Sequence, residues 1–220
     1  MKLIREDIDF SEMEVITEEV NGKKSLHITG PFLQAEKVNR NGRVYPQRVM
    51  DGAVQKYIKE YVKKNRALGE LNHPAEPIVN PERAAIMTKS LRKEGNFYVG
   101  KAKVLSTPMG QIVENLLDDG VTIGVSSRGL GSLKASNGIN EVQEDFMLTT
   151  AADVVFDPSA QTAFVEGVYE AKEWIMESGS LRSIDMEQQR ERLIKAKAAE
   201  LRETKLALFE NFLRNIEINK

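Results

Sequence analysis

"TIGVSSRGLGS", residues 122–132, runs from an apolar, β-rich segment into a glycine-rich one, with two hydroxyls at the junction. It reads as a strand, "VTIGVSS", followed by a tight loop, "RGLGS". A nucleophilic serine needs a base to take its proton and backbone N–H groups to hold an oxyanion. Glycines just after the serine let the backbone turn those groups inward, because glycine tolerates positive φ. The pattern Gly124-x-Ser126-x-x-Gly129 misses the G-x-S-x-G nucleophile elbow by one residue, and no helix follows it directly. Both features count against an α/β-hydrolase. On spacing alone the segment fits a phosphate-contacting or merely tight loop better than a catalytic one.

The flanking segments are β-rich, with few helices. "MEVITEEV" and "SLHITG" around Asn21-Gly22 read as a hairpin, as does "RAAIMTKSLRKEGNFYVGKAKVL" with its tip at Glu94-Gly95-Asn96. A helix is expected from Pro46 to about Asn65, with Val49, Met50, Val54, Ile58, Tyr61 and Val62 on its apolar face. "TPMGQIVENLLDDG" is a second, shorter helix stopping at Gly120. At least two more strands follow around Asn137-Gly138. Strands, helix, strands, helix and strands in this order fit an α+β fold rather than a repeated βαβ one.

Composition removes several chemistries. Of 220 residues, 31 are basic and 33 acidic, for a net charge of −2, so direct nucleic-acid binding is not expected. There is no cysteine and only two histidines, which excludes thiolate nucleophiles, disulfides and multi-histidine metal sites. No apolar run approaches the roughly 18 residues of a membrane span, and "MKLIREDIDF" lacks the apolar centre of a signal peptide. The chain is therefore expected in a cytoplasm, away from membranes.

A serine in "VSSRG" requires a base, and His73 in "LGELNHPAEP" is the candidate, since a histidine with a pKa near 6.5 exchanges protons at neutral pH. The bland alternative is a loop histidine bonded to a nearby carbonyl. His27 lies in an alternating strand and reads as structural. Asp153 interrupts the apolar run "TTAADVVF", where a carboxylate is costly unless paired. It is the candidate to orient the imidazole, against the alternative of a strand-end acid facing water.

Composition shifts after Glu177. Residues 1–177 form the expected main domain, 178–185 a polar linker, and 186–220 a helical tail whose apolar stripe includes Leu201, Leu208 and Phe212. That stripe suits packing on the chain's own domain or docking on another protein.

Three islands, "FLQAEKVNRNGRVYP", "ALGELNHP" and "GVSSRGLGS", in this order and at these separations, resemble the prohead core proteases of T-even-like tailed bacteriophages. The resemblance covers roughly residues 28–165. It implies a serine endopeptidase with a β-barrel flanked by helices, related to the herpesvirus assembly proteases. By position it implies His73 as general base, Ser126 as nucleophile and Asp153 as the third triad member. Gly129 and the adjoining backbone N–H groups are then assigned to the oxyanion site, and Arg128 either assists that site or anchors the loop. No metal and no cofactor are implied. The implied substrates are phage scaffolding or core proteins and the major capsid protein, cut inside the prohead in the host cytoplasm. Cleavage is implied after Glu in a Leu/Ile-x-Glu context and in the enzyme itself, with Glu177, Glu203 and Glu210 as candidate sites. The tail would then be a scaffold-docking segment removed by self-cleavage, and a homo-oligomer is among the assemblies this reading allows. The rivals are a non-enzymatic capsid or tail-tube assembly protein of related barrel fold and a phosphate-binding module using "SSRGLGS".

Overall fold

The computed structural model describes residues 1–7, 13–20, 23–39, 41–72, 74, 76–155, 172–177 and 180–185. Its backbone divides into two compact units, residues 4–163 and residues 1–3 with 164–220. This boundary differs from the break expected at 177.

Strands dominate. In chain order they are β1 (Lys2–Asp7), β2 (Glu14–Val20), β3 (Lys23–Gln34), β4 (Arg43–Val44), β5 (Leu68–Glu70), β6 (Ala84–Glu94) and β7 (Phe97–Val104). There follow β8 (Gly124–Gly131), β9 (Leu133–Ser136), β10 (Ile139–Val142), β11 (Met147–Val155), β12 (Lys172–Glu177) and β13 (Ser180–Asp185). Helix α1 (Gln47–Tyr57) runs on through a π-helical turn to Val62, and α2 spans Pro108–Asp118.

Both helices begin where local chemistry dictates. Pro46 stands just before the first turn of α1, its fixed φ suited to helix entry. Thr107 caps α2, its hydroxyl accepting the Gly110 N–H at 3.2 Å, with Pro108 beginning the helix. Val49, Met50, Ala53, Val54 and Tyr57 share one buried face of α1. That face joins Ile28, Phe32 and Leu33 of β3, Ile86 of β6, and Leu148, Ala151, Ala152 and Val154 of β11 in one core.

The main sheet is antiparallel, ordered β2-β3-β7-β6-β5, and a second sheet is ordered β1-β8-β11. A third holds β4-β10-β9, with the Asn137-Gly138 turn between β9 and β10. The strands form no closed barrel among the described residues. Just past edge strand β5, Leu71 meets Val154 of β11 in a single isolated bridge rather than a ladder, so the ring expected from the resemblance is not completed there.

Two expectations change. "RGLGS" is not a loop: residues through Gly131 belong to β8, which is buried along its whole length. Gly129 serves close packing rather than positive φ, since a Cβ there would lie 2.3 Å from the Phe146 ring. The polar "SLRSID" is likewise strand β13, not linker, paired in register with "KEWIME" of β12. Backbone pairing needs no apolar side chains, so composition did not reveal it. The expected helical tail, with Glu203 and Glu210, lies outside the described residues.

Candidate active site

The site is built on the β8–β11 pair. Two register shifts in this ladder advance β11 by two residues, so that the cross-strand partner of Ser126 is Asp153. In the register of Met147 opposite Leu130 it would have been Ala151. Directly opposed residues share a face of the sheet, and bulges of this kind re-aim side chains near active sites. Ser126 and Asp153 are both fully buried. The structure thus brings these two expected residues together. His73 lies outside the described residues, but its flanks are fixed beside the pair. The Asn72 N–H donates to the Val154 carbonyl at 2.9 Å, and the Glu76 carbonyl accepts from Arg128 Nη1 at 2.5 Å.

Arg128, two residues along β8 from Ser126, is fully buried and committed to anionic partners. Its Nε donates to Asp153 Oδ2 at 2.5 Å and its Nη2 to Asp153 Oδ1 at 3.1 Å, a two-pronged grip on one carboxylate. Nη2 also donates to Glu70 Oε2 at 2.5 Å. Burial opposes the charge on Arg128, but the Asp153 and Glu70 carboxylates outweigh it and hold the guanidinium pKa above its ordinary value. Of the two roles expected for Arg128, anchoring is the one these bonds fit.

Glu70 is the residue that sequence reading missed. It ends β5 fully buried, donates its backbone N–H to Asp153 Oδ1 at 2.7 Å, and accepts the Asn80 N–H on Oε1 at 3.1 Å. Its only signal in the sequence was an acid set among apolar residues in "ALGEL". Gly69 makes the arrangement possible, because a Cβ there would lie 1.9 Å from the Ala152 carbonyl oxygen. Only a residue without a side chain lets β5 cross the β11 backbone this closely. Burial pushes the Tyr57 phenol of α1 above its usual range, and Asp153 nearby adds to that, so this hydroxyl stays neutral.

His27 sits apart, buried on β3 with Nδ1 3.5 Å from Glu18 Oε2. Burial lowers its pKa against the pull of Glu18.

Residues 7–173 match the prohead core protein serine proteases. The chain belongs to that family and is a peptidase of viral procapsid maturation. The prohead core protein protease of Enterobacteria phage T4 is 45% identical over 147 residues, which cover 65% of this chain and 69% of the relative. The solved structure of the bacteriophage T4 capsid assembly protease, gp21, superposes with a TM-score of 0.66 at 39% identity. That match covers 71% of this chain and 98% of the solved one.

Proposed function

We propose that the chain is a serine endopeptidase of the Ser-His-Asp type, with Ser126 as nucleophile, His73 as general base and Asp153 as its orienting acid. The cross-strand pairing of Ser126 with Asp153 carries this reading. The tethering of Asn72 and Glu76 on either side of position 73 supports it. In the acylation step His73 takes the Ser126 hydroxyl proton as Oγ attacks the scissile carbonyl. The proton then passes to the leaving amine, and water releases the acyl group by the same base. Asp153 fixes the imidazole tautomer and steadies the imidazolium. Backbone N–H groups after Ser126, toward Gly129, are assigned to the oxyanion.

The substrates are scaffolding or core proteins and the major capsid protein, cut after Glu in Leu/Ile-x-Glu sequences within the prohead in the host cytoplasm. Kinship with the herpesvirus assembly proteases belongs to the same proposal. So does a division into a protease domain and a scaffold-docking tail removed by self-cleavage.

A serine-reactive fluorophosphonate probe tests the mechanism. Covalent labelling mapped to Ser126 and lost in His73→Ala is the expected result. A chain that cleaves peptide yet carries no label at Ser126 would overturn the nucleophile, and labelling undiminished in His73→Ala would overturn the base.

A further inference from the structure

We infer that Glu70 is a positioning residue of the catalytic machinery: it balances the charge of Arg128, so that Asp153 retains a net negative field for the imidazole at position 73. The inference rests on the triad reading and adds to it a residue that the reading does not require.

The argument is one of charge and geometry. An orienting acid works because it is anionic, yet both Asp153 oxygens accept hydrogen bonds from Arg128. A guanidinium held this tightly cancels most of the field of one carboxylate, and in a buried site no solvent restores it. Asp153 and Arg128 alone are neutral and would do little to stabilise an imidazolium. Glu70 changes the sum. Its carboxylate, also fully buried, meets the same guanidinium at 2.5 Å, so among the described residues the fully buried groups, two acids and one base, carry a net charge of −1. Protonation of the imidazole then brings the buried cluster to neutrality rather than to a net positive charge.

The surrounding groups preserve this balance. Tyr57 approaches from α1 as a neutral phenol. Arg83 lies 4.0 Å from Glu70 Oε1 with a side chain 44% exposed, so solvent weakens its pull on Glu70 relative to that of the fully buried Arg128 without abolishing it. The Glu76 contact is through a carbonyl and brings no formal charge to Arg128. Asn80 gives Glu70 a backbone N–H, which adds a hydrogen bond and no formal charge. Glu70 also fixes Asp153 directly through its backbone N–H. Orientation and charge therefore come from one residue, through main chain and side chain respectively.

With only two histidines in the chain, imidazole NMR in the full-length Ser126→Ala protein reads the effect without self-digestion. His27, on β3 and paired with Glu18 of β2, serves as internal reference. Glu70→Gln should lower the His73 titration midpoint by about one pH unit, as loss of one nearby opposite charge does, and leave His27 in place. Asp153→Asn should lower it too. If Asp153→Asn moves His73 and Glu70→Gln does not, the inference fails and the triad stands. If neither moves it, the triad reading itself falls. Should Glu70→Gln alone not fold, the pair Glu70→Gln with Arg128→Met removes one charge of each sign. The midpoint should then stay at the parent value, and a fall of about a unit would overturn the inference.

Discussion

At the scale of single residues, burial does not separate the two adjacent serines, because Ser126 and Ser127 are both buried. Direction separates them. Successive side chains on a strand point to opposite faces, and Ser126 shares its face with its cross-strand partner Asp153. Ser126→Ala should reduce peptide cleavage by roughly 10⁴-fold or more, while Ser127→Ala retains most activity. Steady-state kinetics on a Leu-x-Glu peptide checks this, and the reverse ranking would move the nucleophile by one residue. Asp153 was legible because a carboxylate in an apolar run must have a partner. The identity of that partner was not legible. Arg128 finds its acids 25 and 58 positions away along the chain, a distance over which sequence spacing carries no geometric information.

At the scale of elements, the site depends on irregularities in otherwise regular strands. The β8–β11 register shifts set Asp153 opposite Ser126, and a further shift between Gly69 and Glu70 interrupts β5 as it pairs with β6. At Gly69 the main sheet lies close against β11 of the second. Gly69→Ala places a methyl against the Ala152 carbonyl, and this backbone cannot yield as a flexible side chain would. The variant should lose about 1–3 kcal/mol of stability in urea unfolding. It should also lose roughly 10²-fold in kcat/KM, because β5 leads directly into the segment that carries His73. Gly52→Ala is the control: it lies within α1 with nothing within 4 Å of the added methyl. There alanine should be neutral or stabilise by about 0.5–1 kcal/mol. Equal losses in both variants would show that close approach at Gly69 is unimportant.

For the whole molecule, the open matter is self-cleavage. Glu177 ends β12 opposite Ser180, the terminal pair of the β12–β13 ladder. Its backbone is already extended, as a protease requires, and only the pairing at the end of the hairpin must open to release it. Incubation of the wild type beside Ser126→Ala, followed by intact-mass analysis, should give a time-dependent fragment ending at Glu177 in the wild type alone. A chain that stays whole while it cleaves an added peptide would rule out self-removal of the tail.

The sequence alone determined the local structure, because turn and cap chemistry acts over a few residues. The hairpin tip at Gly95, the entry of α1 after Pro46 and the end of the short helix α2 before Gly120 all stand where the residues place them. It also supplied the candidate serine and acid. Tertiary structure decided what was non-local. Glycines that signal a loop became a buried strand because the Phe146 ring occupies the space of their missing side chains. A polar segment became β13 because backbone pairing is indifferent to side-chain polarity. Glu70, unremarked beside His73, joined Arg128 and Asp153 in one buried ion cluster. A charge can be buried only where opposite charges from other strands arrive with it, and the chain's folding, not its local order, brings them together.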